Sequence, residues 1–105
     1  IIKNKQILRT HLNKLIKTFR EQIDKKELLG NSITPIQPII LKDEKKVLAI
    51  SKKLMHMGYY VSSIRPPTVE KNTSRLRISL SALHSLKDVI GLTQAINSLI
   101  NSYAI

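Results

Sequence analysis

Arg75-Leu76-Arg77-Ile78-Ser79-Leu80 alternates polar and apolar residues without a break. Side chains of a strand point to opposite faces with a period of two. Leu76, Ile78 and Leu80 therefore share one face, and Arg75, Arg77 and Ser79 share the other. A strand of this kind belongs to a sheet with one covered face and one face left to water or to another domain. The rest of the chain has to supply cover for a single face.

Three segments have the helical period for that cover. From about Ile2 to Leu28, the residues Leu8, Leu12, Leu15, Ile16, Phe19 and Ile23 recur at steps of three and four. Lys14, Lys17, Arg20, Glu21, Asp24 and Lys25 fall mostly on the opposite face. Gly30-Asn31-Ser32 is expected to end this helix, with Gly30 as a left-handed cap. Asp43 is a suitable N-cap for a second helix from Glu44 to Met57, followed by Gly58. Val47, Ile50, Leu54 and Met57 form its stripe, widened by Leu48 and Met55. Ser85-Leu86-Lys87-Asp88 has capping-box spacing. It opens a last helix with Leu86, Val89, Ile90, Thr93, Ile96 and Ile100 on the core face.

Two more strands lie between these helices. The Ile-rich end of Thr34-Pro35-Ile36-Gln37-Pro38-Ile39-Ile40-Leu41 reads as one, with Pro38 at its start or on an edge because proline donates no ladder bond. Tyr59-Tyr60-Val61-Ser62-Ser63-Ile64 reads as another. Arg65-Pro66-Pro67-Thr68-Val69 leaves it rigidly. The order is helix, strand, helix, strand, strand, helix. That order predicts an α+β fold: a small antiparallel sheet of about three strands with helices on one face. The chain opens inside a periodic segment and without Met, as a piece of a longer protein would. Residues 1–30 read as a helix leading out of an absent domain, and 31–105 as a small domain.

Composition removes several function classes. There is no Cys, so disulfide scaffolds, CxxC redox sites and thiolate metal sites are excluded. No apolar run approaches the roughly 18 residues of a membrane span, and no signal-peptide pattern is visible, which points to the cytoplasm. The 18 Lys and Arg against 7 Asp and Glu leave a formal charge of +11, which attracts polyanions without specifying one. Thirteen of those cations are Lys, mostly on helix faces, and only Phe19, Tyr59, Tyr60 and Tyr103 are aromatic. A base-stacking platform is not expected from so few. A free-standing basic module that binds nucleic acid is kept as an alternative.

Candidate chemistry is sparse. Arg75 and Arg77 sit about 6.6 Å apart on one strand face, with no acidic residue inside the strand. A guanidinium is a planar fork that fits a carboxylate or phosphate with two hydrogen bonds. Arg65 and Thr68, on a stiff loop at a strand's end, are in a usual place for binding side chains. His11, His56 and His84 have no metal-ligand spacing, and His84 reads as a hydrogen-bonder at a helix entrance. No GxGxxG, GxxxxGK[ST] or GxSxG is present. Nothing supplies a nucleophile with an adjacent base.

Ile64-Arg65-Pro66-Pro67-Thr68-Val69, followed by Thr73-x-Arg75-Leu76-Arg77-Ile78-Ser79-Leu80-Ser81-Ala82-x-His84, resembles the C-terminal signature of the α-oxoamine synthases. These are pyridoxal-phosphate enzymes of the aspartate-aminotransferase fold type. The double proline is most similar to the biotin-pathway branch, and the resemblance covers essentially the whole chain. Val69-Glu70-Lys71-Asn72-Thr73 departs from the family's Val-Pro-x-Gly-Thr. Asn72 takes the place of a glycine and is expected to accept a positive φ.

The resemblance implies an enzyme that condenses L-alanine with a pimeloyl thioester, of coenzyme A or an acyl carrier protein, and releases CO2. It implies pyridoxal 5′-phosphate as electron sink and a homodimer. Arg77 would hold the amino-acid carboxylate, Thr68 would contact substrate, and Arg65 would contact a substrate carboxylate. The Schiff-base lysine and the other cofactor contacts would lie upstream. On that basis the isolated chain is expected to bind no cofactor and to be inactive. A family member using glycine with another acyl thioester is the nearest alternative.

Overall fold

The alternating strand, β3 (Ser74–Ser79), lies at the centre of the sheet. A computed structural model describes residues 5–59 and 61–103. The element order is α1 (Lys5–Gln22), a 3-10 turn (Lys26–Leu28), β1 (Ile36–Lys42), α2 (Glu44–His56), β2 (Ser62–Ile64), β3 and α3 (Leu86–Ser102). The sheet runs β1-β3-β2 and is antiparallel throughout. This is the α+β arrangement expected from the residue pattern. The expected helix start at Ile2 and the strand residue Tyr60 lie outside the described residues.

One hydrophobic core joins the layers. Leu15, Phe19 and Ile23 come from the first segment, and Ile39 and Leu41 from β1. Val47, Ile50 and Leu54 come from α2, Leu76 and Ile78 from β3, and Val89, Ile96 and Ile100 from α3. Gln37, Ile39 and Leu41 face this core, so Ile36, Pro38, Ile40 and Lys42 alternate onto the open face. Pro38 sits inside β1, which is tolerated because β1 is an edge strand.

Several boundaries differ from expectation. α1 ends at Gln22 rather than Leu28, because other groups take up its terminal hydrogen bonds. Asn97 of α3 donates to the Gln22 carbonyl at 2.8 Å and accepts from the Asp24 N–H at 3.0 Å. The Lys26 ammonium donates to the carbonyls of Glu21 and Ile23. Gly30 is therefore not a helix cap. It permits a close approach instead: a Cβ there would meet Pro38 Cγ at 2.8 Å. Gly58 does have the left-handed φ of +93° expected after α2.

β2 is shorter than the expected Tyr59–Ile64. The Tyr59 N–H still donates to the Leu54 carbonyl at the end of α2. On α2 the buried stripe is Val47, Ile50, Ser51 and Leu54, while Leu48, Met55 and Met57 are exposed. On α3, Ile90 is exposed, and Leu92 and Leu99 complete the core face. Each of these residues lies one helical step beyond the edge of its stripe, where a neighbouring element rather than the 3.6 period decides burial.

Arg20 also departs from its expected solvent face. It is half-buried, and its Nη1 donates to Gln37 Oε1 at 2.7 Å. The fully buried Gln37 amide in turn donates to the carbonyls of Ser32 and Thr34. A satisfied buried amide ties α1, the following loop and β1 together. Arg20→Ala leaves Gln37 Oε1 without a donor among the described residues, and should cost about 1–3 kcal/mol in urea denaturation.

The α3 capping box is formed as expected. Ser85 Oγ accepts from the Asp88 N–H at 3.1 Å, and Asp88 Oδ2 accepts from the Ser85 N–H at 2.9 Å. The backbone bond from Ser85, followed by its side-chain bond, holds the Asp88 pKa below the usual carboxylate range. A lowered folded-state pKa stabilises the fold above the unfolded value, and this contribution fades as pH falls through the folded one. Thermal melts should therefore show stability dropping below about pH 4. Asp88→Asn should shrink the difference between melts at neutral and acid pH.

Candidate functional site

The sheet's open face carries the candidate residues. Arg77 sits midway along β3, paired with Pro38 of β1 on one side and Ser62 of β2 on the other. Neither neighbour carries charge. Arg77 is exposed and, among the described residues, its side chain has no hydrogen bond or ion pair. Ile36, Ile40, Ile64 and Ser79 share its face by register, and no carboxylate does. Its guanidinium is thus an uncommitted fork on a rigid mount.

Arg75 is different, although its sequence position is equivalent. It is half-buried, and its Nε donates to the Thr73 carbonyl at 3.1 Å. That bond ties it to the turn preceding β3. Spacing alone does not separate the two arginines; the local turn does.

Arg65 and Thr68 belong to one turn. The Thr68 N–H donates to the Arg65 carbonyl at 3.0 Å. The Pro66-Pro67 bond inside the turn is cis. Thr68 is exposed. Arg65 forms a partly exposed ion pair with Glu44, the first residue of α2, at 3.6 Å. Since Ile64 pairs with Arg75, this turn leaves the sheet at the Arg75 end and not beside Arg77. Asn72 has φ +66°, as expected for a residue in a glycine's place.

The histidines act structurally. His84 Nδ1 accepts from the Ser81 N–H at 3.0 Å, and His11 Nε2 donates to the His84 carbonyl at 2.8 Å. They fasten α1 to the entrance of α3. Among the described residues no group of three His, Cys, Asp or Glu side chains is placed to hold a metal ion. No described lysine is buried, so these residues do not build an enclosed pocket in which a lysine could carry an aldehyde cofactor. Two features escaped the sequence reading: the Arg20–Gln37 link and a buried Ser74 hydroxyl with no partner. Position in a strand marks both as alternating core-side residues, but a polar side chain there reads as an exception until its partners are visible.

No protein-family model matches the chain. An 8-amino-7-oxononanoate synthase of Cellvibrio japonicus is 43% identical over 98 residues, which is 92% of this chain and 25% of that protein. The crystal structure of 8-amino-7-oxononanoate synthase from Francisella tularensis superposes with a TM-score of 0.80 at 25% identity, over 97% of this chain and 30% of that one. A Sphingomonas wittichii serine palmitoyltransferase superposes with a TM-score of 0.75 at 26% identity, over 95% of this chain and 25% of that one. The chain thus spans about a quarter of the length of the curated relatives it matches. Alike in sequence and in fold, it belongs to the α-oxoamine synthase family of fold type I pyridoxal-phosphate enzymes, in the branch of the 8-amino-7-oxononanoate synthases, as their C-terminal domain.

Proposed function

We propose that this domain holds the amino-acid substrate of an enzyme that joins L-alanine to a pimeloyl thioester with loss of CO2, a step of biotin synthesis. The observation that carries the reading is Arg77: an exposed guanidinium without a partner, central on a strand and on a face free of carboxylates. In this role Arg77 grips the substrate carboxylate with two parallel N–H donors. The grip also orients the bond to be broken, so it contributes to rate as well as binding. Thr68 contacts substrate from the turn after β2. Arg65 is the weaker candidate, because its guanidinium already faces Glu44.

Pyridoxal phosphate, when bound, supplies the electron sink for carbanion chemistry. In this proposal a separate domain carries it, and α1 leads from that domain. The isolated chain then binds no cofactor and has no activity. The whole enzyme works as a homodimer in the cytoplasm.

A substrate panel tests the reading. The enzyme carrying this domain should turn over L-alanine with pimeloyl thioester and prefer that pair over glycine with acetyl or succinyl thioester. Preference for glycine would move the chain to another branch of the family. The +11 charge favours a second reading, a nucleic-acid-binding module. Tight retention of the chain on bulk DNA at physiological salt would support it instead.

A further inference from the structure

Arg65 is held at its backbone but only loosely at its guanidinium. Its neighbour Ile64 pairs with Arg75 in the sheet, and its carbonyl accepts from the Thr68 N–H across the two prolines. Neither bond involves the side chain. Among the described residues the guanidinium has one partner, Glu44, at 3.6 Å. That separation is longer than a hydrogen bond, and the two side chains are 41% and 49% exposed. An ion pair this open to water is weak and exchanges readily for another carboxylate.

The start of α2 does not need Glu44 for its cap. Asp43 makes the cap, accepting from the N–H groups of Lys45 and Lys46 at 2.8 and 3.4 Å. The Glu44 carboxylate is left to meet Arg65, and the register explains the meeting. Ile64 shares the face of Arg77, so alternation turns the next side chain, Arg65, toward the covered side of the sheet, where α2 starts. A ligand on the open face reaches Arg65 only when that side chain swings off Glu44. Ser62 is opposite Arg77, and Arg65 lies three residues further, roughly 10 Å along the strand. A molecule gripped at one end by Arg77, with a second carboxylate several bonds away, spans such a distance.

We propose, on the reading of this chain as part of a pimeloyl-using acyltransferase, that Glu44 is a positioning residue that parks Arg65 beside α2 until the far carboxylate of the acyl chain draws it away. A dicarboxylic acyl thioester then competes with the protein's own side chain for one guanidinium. An acyl chain that ends in a methyl group offers Arg65 nothing. The guanidinium stays on Glu44 and is not left without a partner beside an apolar tail. Specificity is a difference of two affinities, and Glu44 narrows the difference between these two kinds of acyl chain.

Steady-state kinetics of the enzyme that carries this domain tests it, at saturating L-alanine, with pimeloyl and heptanoyl thioesters of the same carrier. The two acyl chains have the same number of carbons and differ in the end carboxylate. Glu44→Gln should lower the KM for the pimeloyl thioester about two- to fivefold, with kcat unchanged, and leave the KM for the heptanoyl thioester in place. Arg65→Ala should raise the pimeloyl KM about tenfold, and adding Glu44→Gln to it should change nothing more. Glu21→Gln removes the same charge from the exposed pair with Lys17 on α1, and should move neither KM.

An unchanged or higher pimeloyl KM in Glu44→Gln, an equal drop for the heptanoyl thioester, an equal drop in Glu21→Gln, or a drop that persists without Arg65 each overturns the proposal. A parent enzyme that does not turn over the pimeloyl thioester overturns the reading itself. Turnover by the parent with an unmoved KM in Glu44→Gln overturns only the role of Glu44.

Discussion

Arg77→Ala in the enzyme that carries this domain will lower kcat/KM for L-alanine by about two to four orders of magnitude. The figure follows from the bond type: a hydrogen bond to a charged group contributes about 1.5–3 kcal/mol, and a guanidinium gives a carboxylate two in parallel. Each 1.4 kcal/mol or so is a factor of ten. The loss should fall on alanine and leave the KM for the thioester nearly unchanged. Arg77→Lys keeps the charge but not the fork, so it should recover only part of the activity. Because the Arg77 side chain is exposed and makes no bond within the described residues, the variant should melt at the temperature of the parent. Steady-state kinetics at varied alanine, with a thermal melt as control, checks all of this. Unchanged alanine kinetics would remove the role given to Arg77.

The second large effect is on stability. Phe19 is fully exposed to the core and not at all to solvent, and it is the largest of the fully buried side chains. It stands where α1 packs on α3 within the single core. Phe19→Ala should cost about 3–5 kcal/mol, from lost transfer free energy and the cavity left behind. A domain near this size has only about 5–15 kcal/mol in total. A drop of about 4–8 °C in Tm per kcal/mol makes the change plain in a melt. Urea denaturation should show a lower midpoint with an unchanged slope, and Phe19→Leu should lose much less. A cost below about 1 kcal/mol would mean that α1 does not pack as described.

The two experiments separate what the chain does from what keeps it folded. Arg77 stabilises nothing inside the domain, so its loss is visible only in chemistry. Phe19 touches no candidate substrate, so its loss is visible first in stability. The Arg20–Gln37 link lies between these cases. Gln37 immediately precedes Pro38, the cross-strand neighbour of Arg77. A weakened link loosens the edge of the sheet on which that arginine is mounted.

The residue pattern alone determined the element order, the α+β class, the caps at Asp43 and Ser85 with Asp88, and the two faces of β3. These follow from local rules, namely side-chain period, capping chemistry and backbone freedom, which act within a few residues along the chain. Tertiary structure decided the rest. It ended α1 at Gln22 through Asn97 of α3, placed β3 in the middle of the sheet, and excluded Ile90 and Met57 from the core. It also distinguished Arg77, left free, from Arg75, bound by its own turn. These outcomes depend on groups distant in sequence, and partners brought together only by folding leave no period along the chain from which to read them.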